Sequence, residues 1–324
     1  MYFPVSGVEV LPVIPPLVAF LVSSLTASAG VSGAFILLPF QMSVLGFTSP
    51  AVSPTNLIYN IVAIPGGLAR FIRDGRMAWP LTWVVCVGTL PGVFVGAWIR
   101  IKYLPDPRAF KLFAGLVLLY LGARLLYELS GRYLKSKEQN RAVEQKFKAR
   151  VAQLKSASNS RIAAGLPEDA VVKTKSFTWH KIEYEFWGEN FSFSTAVIFI
   201  LSLAVGLVGG IYGIGGGAII APFVVSVLGL PVYTVAGAAL AGTFLTSIAG
   251  VIFYAVLDVS GAAGASVNVS PDWMLGALFG IGGLLGTYCG AYIQKYLPER
   301  IVRGILGLLI TALALQYIWQ FFGQ

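Results

Sequence analysis

The sequence predicts an all-α polytopic membrane protein. It consists of two homologous repeats of about four to five transmembrane segments, each starting with a broken, glycine-rich helix, and the repeats are expected to be inverted. Three observations carry this. The 324 residues are 56% hydrophobic and only 11% charged, where a soluble domain is roughly a quarter charged. No charged residue occurs from Pro12 to Ala69 or from Phe191 to Leu257, and a spanning helix needs only ~20 apolar residues. The second half also repeats landmarks of the first. The alternation that a membrane β-barrel requires is absent.

Residues 1–11 are short and hold one acidic charge, Glu9. Val13 to Ala29 forms the first helix, with Pro15 and Pro16 suited to its first turn. Gly30-Val31-Ser32-Gly33 breaks it, and Ala34 to Leu45 is a shorter helical piece. Gly46 to Pro50 is a turn, after which one helix runs from Val52 to Arg70. Arg70, Arg73, Asp74 and Arg76 form a polar connection. The span from Trp79 to Ile99 is anchored at the interface by Trp79 and Trp83. Arg100, Lys102, Asp106, Arg108 and Lys111 mark the next membrane surface. Leu112 to Leu129 closes the first repeat, residues 1–130, with Arg124 snorkelling to the headgroups.

Residues 131–190 are a polar insert, expected on the cytoplasmic side. Val143, Phe147, Val151 and Leu154 recur at helical spacing and form an amphipathic stripe among basic residues. Such a helix suits either an anionic lipid surface or a solvated extension of the preceding span. A small polar linker, Ser156 to Pro167, leads to a β-prone aromatic patch, Phe177 to Trp187. Tyr184, Phe186 and Trp187 are expected at the membrane interface.

The second repeat, residues 191–324, contains the stretch around which the chain is organised, Gly206 to Pro222. It holds seven glycines between Gly206 and Gly217, a density that breaks a helix. Gly229-Leu230-Pro231 is a turn, and a span runs from Val235 to Leu257. Asp258 and Asp272 bracket a loop; Met274 to Ile293 spans again. Lys295 to Arg303 is a polar hinge before a last span, Ile305 to Phe322.

The repeat is read by sliding the chain on itself. At an offset of 183, Gly30 meets Gly213, Gly33 meets Gly216, Pro39 meets Pro222, Leu45-Gly46 meets Leu228-Gly229, and Gly67 meets Gly250. Further on, Lys102-Tyr103-Leu104-Pro105 meets an identical Lys295-Tyr296-Leu297-Pro298. If each broken segment is a hairpin returning to its starting side, each repeat crosses an odd number of times and the copies are inverted. Arg70–Arg76, the insert and Lys295–Arg303 then share one side, as the positive-inside rule favours. The Arg100–Lys111 loop falls on the opposite side, which that rule disfavours. If each broken segment crosses once, the copies are parallel instead.

The net charge of +9 fits cytoplasmic loops near anionic lipid rather than nucleic-acid binding. Cys86 and Cys289 lie in apolar segments without metal or redox spacing. His180 is the only histidine. Neither an enzyme's catalytic set nor a metal or cofactor site is visible. No basic region precedes the first apolar run, so no cleavable signal is expected.

The pattern Gly-x-Gly-Gly-Gly-x-Ile-x-x-Pro, Gly213 to Pro222, resembles the TauE/SafE family of anion permeases, and the likeness extends over both apolar halves. The resemblance implies a multi-pass permease of a prokaryotic cytoplasmic (inner) membrane, carrying sulfite, sulfoacetate or another organosulfonate. The first repeat departs from the pattern: Ser32 and Ala34 stand where glycines are expected, which offers a hydroxyl where the second repeat offers backbone.

An anion crossing a membrane needs donors without a trapping charge, and helix N-termini supply them. The candidate substrate-binding residues are therefore Ser32 and Gly33 at the first break and Gly215, Gly216 and Gly217 at the second. Asn56, Asn60 and Thr243 are added from the next helix of each repeat, because polar residues inside spans mark a pathway. Tyr59 shares the face of the two asparagines, and Thr246 and Ser247 follow Thr243 by one turn. Close helix packing accounts for Gly206 and Gly210, but consecutive glycines share no helix face. No carboxylate lies deep in a span, so no proton relay is visible and the coupling ion, proton or sodium, is not identified. Small-residue faces permit a homodimer. An anion channel, a permease for a non-sulfur carboxylate, a membrane enzyme and a scaffold working through the insert are the alternatives.

Overall fold

The computed structural model describes residues 1–29, 32–73, 77–130, 172–186, 189–227, 230, 232–261, 269–293 and 299–323. Gly30, the amphipathic stripe of the insert, Trp187, the turn at Gly229 and Pro231, and Lys295 to Pro298 lie outside them. A short hairpin, β1 (Tyr2–Phe3) and β2 (Val8–Glu9), precedes six helices, α1 (Ile14–Ala29), α2 (Ala34–Ser43), α3 (Val52–Ala63), α4 (Pro65–Arg73), α5 (Trp79–Lys102) and α6 (Pro107–Glu128). After the insert come strands β3 (Lys173–Phe177), β4 (Lys181–Phe186) and β5 (Glu189–Ser194). Five helices close the chain: α7 (Thr195–Tyr212), α8 (Gly217–Val227), α9 (Val232–Val259), α10 (Trp273–Ile293) and α11 (Glu299–Phe322). Among the described residues, six helices are long and apolar enough to cross a membrane: α5, α6, α7, α9, α10 and α11.

Several elements differ from the sequence reading. The helix expected from Val52 to Arg70 is divided at Ile64 into α3 and α4. Pro65 has no N–H to continue the ladder, and Gly66 and Gly67 follow it. α5 runs on to Lys102, so Arg100 lies in the last turn of a helix and is fully buried in the protein. α6 starts at Pro107, earlier than expected, because the Asp106 carboxylate accepts from the Ala109 N–H at 3.0 Å and caps it. Tyr184 and Phe186 are buried within the protein; with Ile182 they form the buried face of β4. The Tyr184 hydroxyl pairs with Thr234 Oγ1 at 2.9 Å, so the sheet is docked on α9.

Glycines set how the helices pair. A Cβ on Gly92 would lie 2.3 Å from the Leu203 carbonyl oxygen, and one on Gly96 2.3 Å from that of Leu207. α5 and α7 therefore run parallel at backbone contact. α1 and α10 do the same: a Cβ on Gly282 would lie 2.0 Å from the Pro16 carbonyl oxygen, and one on Gly290 2.4 Å from that of Ser24. The opening helix of each half thus lies along a helix of the other half.

The contacts between α3–α4 and α9 run in the opposite order. A Cβ on Gly250 would be 2.6 Å from Leu57 Cδ1, Asn60 donates to Ser247 Oγ, and a Cβ on Gly67 would be 3.7 Å from Leu240 Cδ1. These two elements are antiparallel. So are α6 and α11, where Gly122 faces Thr311 and Gly115 faces Tyr317. α3 is buried on every side from Val52 to Asn60 and forms the centre of the molecule.

Candidate functional site

α7 ends in glycine because its last turn must reverse. Gly213 takes a left-handed φ of +86°, and its N–H and that of Ile214 both donate to the Gly209 carbonyl, at 2.9 and 3.1 Å. Gly215 is left-handed again at φ +75°, and α8 begins at Gly217. A helix end leaves carbonyls without partners, and in a membrane no bulk water replaces them. Side chains of α3 and α9 take that role. The Tyr254 hydroxyl donates to the Gly210 carbonyl at 2.9 Å and Ser53 Oγ to the Ile211 carbonyl at 3.0 Å. Asn56 Nδ2 donates to the Gly213 carbonyl at 3.0 Å and Asn60 Nδ2 to the Ile214 carbonyl at 2.9 Å.

The same Asn56 nitrogen donates to the carbonyl of Ala34, the first residue of α2, at 3.1 Å. One side chain therefore ties the two breaks together. Tyr212 adds a second tie, donating to the Phe35 carbonyl at 3.0 Å. At the first break, Ser32 Oγ accepts from the Ala34 N–H at 3.3 Å. A Cβ on Gly33 would meet the Tyr59 hydroxyl at 2.5 Å, and that hydroxyl pairs with Ser23 Oγ at 2.8 Å. The structure thus places Ser32 and Gly33 at the start of α2, Gly215, Gly216 and Gly217 at the start of α8, and Asn56 and Asn60 beside the second break. Thr243 packs against Gly215 and Gly217, but its hydroxyl donates to the Ala239 carbonyl of its own helix at 2.8 Å. It is Thr246, one turn on, that caps α8 by accepting from the Gly216 N–H at 3.1 Å.

The three consecutive glycines also answer to packing, contrary to the expectation from helix faces. Gly215 and Gly217 both pack on α9, and Gly216 packs on Thr89 of α5. A Cβ on Gly215 would lie 3.0 Å from Ser247 Oγ, one on Gly216 2.7 Å from Thr89 Cγ2, and one on Gly217 2.0 Å from the Ala239 carbonyl oxygen.

Two buried acceptors in this layer have no partner, Asn60 Oδ1 and Gln41 Oε1. Their orientation follows from the network. Ile214 offers only a carbonyl to Asn60, so the nitrogen of that amide must face it. Asn56 is fixed in the same way by two carbonyls, so its Oδ1 receives the Gln41 Nε2–H at 3.2 Å. The sequence reading passed over Gln41, Ser53 and Tyr254. A polar residue isolated in an apolar run was the available signal for Gln41. The others become visible only through partners distant in sequence. No group of histidine, cysteine or acidic residues that could hold a metal occurs among the described residues.

Residues 16–317 match the family described as Sulfite exporter TauE/SafE. The chain belongs to the TauE/SafE family. The match runs from α1 to α11 and takes in both breaks. As a TauE/SafE protein it is a multi-pass membrane transporter and not an enzyme. No curated protein and no solved structure matches it.

Proposed function

We propose that this TauE/SafE protein is a secondary transporter for a small sulfur-containing anion such as sulfite, sulfoacetate or another organosulfonate. The anion binds between the two helix breaks, at Ser32 and Gly33 of one and Gly215 to Gly217 of the other. The single observation that carries the reading is the Asn56 amide, which joins the Ala34 carbonyl at the start of α2 to the Gly213 carbonyl at the end of α7 and so ties the two breaks together. Each helix start contributes ~0.3–2 kcal/mol to an anion from its dipole, without a fixed charge that would retain it. The free acceptors Asn60 Oδ1 and Gln41 Oε1 suit an oxyanion that brings a donor of its own, such as a protonated sulfite or an amino- or hydroxysulfonate.

Inverted repeats are part of this reading. The equivalent elements of the two halves, α3–α4 with α9 and α6 with α11, meet antiparallel, which supports an axis in the membrane plane. Ser6 of the N-terminal hairpin donates to Asp272 at 2.8 Å, before α10, while Glu128 at the end of α6 pairs with Arg303 at 3.0 Å. These contacts group the loops as inversion requires. The burial of Arg100 also removes one cation from the loop that the positive-inside rule disfavours. The insert then lies in the cytoplasm, and the protein in the cytoplasmic membrane of a prokaryote.

Proteoliposomes containing the purified protein test the function. Uptake of radiolabelled sulfite that saturates and is inhibited by sulfoacetate is expected. Flux that fails to saturate indicates a channel, and no flux above protein-free vesicles refutes the reading.

A further inference from the structure

We propose that Arg100 is an anion-binding residue on the transport path, grasping one oxyanion between its Nε–H and Nη2–H. The proposal rests on the transport reading above and deepens it. Arg100 is fully buried, and its Nε and Nη2 have no hydrogen-bond partner. Only Nη1 is engaged, by the Leu104 carbonyl. The guanidinium carbon stands 3.7 Å over the Phe110 ring, which closes one flat face. None of the ion pairs among the described residues involves Arg100. A cation buried without a counter-charge is costly, and inside membranes such residues mark ion and substrate pathways.

Its position points to the same use. On α5, Gly88 faces Ser202, Gly92 faces Gly206 and Gly96 faces Gly210. Continuing this stripe by one turn brings Arg100 to the level of Ile214, inside the second break. A cation beside the carbonyl end of α7 is favourable in itself. That role does not explain the two idle donors, because the Gly210 and Ile211 carbonyls are already taken by Tyr254 and Ser53. The idle pair lies along one edge of the guanidinium plane, the arrangement that meets two oxygens of a sulfite or sulfonate side by side. A lysine has no such edge.

The test is ligand-dependent thermal stability of the purified full chain in detergent, with sulfite, sulfate, chloride and acetate as separate probes. Wild-type protein is expected to gain stability with sulfite. Arg100→Met is expected to match or exceed the wild-type midpoint without ligand, since an unpaired buried cation has gone, and to lose the sulfite-dependent gain. Arg100→Lys keeps the charge but not the fork; its half-maximal sulfite concentration is expected to rise roughly tenfold. Should Arg100→Met fail to fold, Arg100→Lys carries the test. A wild-type sulfite response in the variant that folds overturns the proposal and leaves the transport reading intact. If chloride or acetate, and neither sulfite nor sulfate, stabilises wild type but not the variant, the Arg100 site stands and the sulfur reading falls; if sulfate alone does so, the Arg100 site stands and sulfite is not its ligand. If no probe stabilises wild type, the Arg100 site is refuted while sulfite uptake still decides the function.

Discussion

Asn56 crosses from one repeat to the other to donate its amide hydrogen to the Gly213 carbonyl at 3.0 Å. A second bond from the same nitrogen reaches Ala34 at 3.1 Å. Replacing Asn56 with Ala leaves two buried carbonyls without that donor, at about 1–3 kcal/mol for each unsatisfied group. Asn56→Asp keeps the shape but sets a carboxylate against two carbonyls, and is expected to be worse. Both variants should lower the thermal midpoint in detergent and abolish sulfite uptake, with Asp below Ala in stability. Wild-type stability in Asn56→Asp would show that the tie is dispensable.

Glycine substitutions should separate tight contacts from open ones. Gly217→Ala drives a methyl to 2.0 Å from the Ala239 carbonyl oxygen, a backbone atom that cannot rotate away. Overpacking of this kind costs typically ~1–3 kcal/mol or more. Gly67→Ala, in α4, places its methyl 3.7 Å from Leu240 Cδ1, an ordinary contact, and gains up to ~1 kcal/mol from helix propensity. Thermal unfolding of the two variants should give opposite signs. Equal midpoints would contradict the packing described for the second break.

Topology is open to single-cysteine labelling in a background where Cys86 and Cys289 are replaced by Ala. A cysteine at Ser6 or Ser270 should react with an impermeant maleimide from one side of the membrane. A cysteine at Thr178 should react only from the other, cytoplasmic side. Labelling of Ser6 and Thr178 positions from the same side would require parallel repeats.

The docking of the sheet on α9 depends on Tyr184. Tyr184→Phe removes its bond to Thr234 and should cost ~1 kcal/mol. Burial pushes the Tyr184 hydroxyl from its ordinary 10.0 up to about 12. The folded state therefore holds this proton more tightly than the unfolded state. Its contribution is full below pH 10 and is lost as the pH rises towards about 12. Stability measured across that alkaline window should fall more steeply in wild type than in Tyr184→Phe; parallel curves would dismiss the effect.

Much of the fold was legible because a membrane restricts the choices. Charge-free runs and glycine punctuation located the start of α2 at Ala34 and the break that precedes α8. The division at Ile64 was also written in Pro65-Gly66-Gly67, but the surrounding apolar run concealed it. The burial of Arg100 was not legible, because a charge near the end of a span is usually exposed; only the ring of Phe110 over which it lies reveals a buried guanidinium. The burial of Tyr184 was missed for a similar reason, since an aromatic residue near a span is commonly exposed to lipid headgroups. The alternation of Ile182, Tyr184 and Phe186 along β4 already carried the correct answer. The partners of Asn56 were beyond sequence reasoning: they are main-chain carbonyls, one of them 157 residues away, and any residue type supplies a carbonyl.

The most direct test of an anion held between the breaks is substrate protection at Ser32. Ser32→Cys, made without Cys86 and Cys289, is reconstituted and exposed to a small uncharged thiol reagent with and without sulfoacetate. Labelling is expected to slow as sulfoacetate rises, reaching half-protection near the concentration that half-inhibits sulfite uptake. Labelling that is indifferent to sulfoacetate, in a protein that still transports sulfite, would place the anion elsewhere and contradict the account.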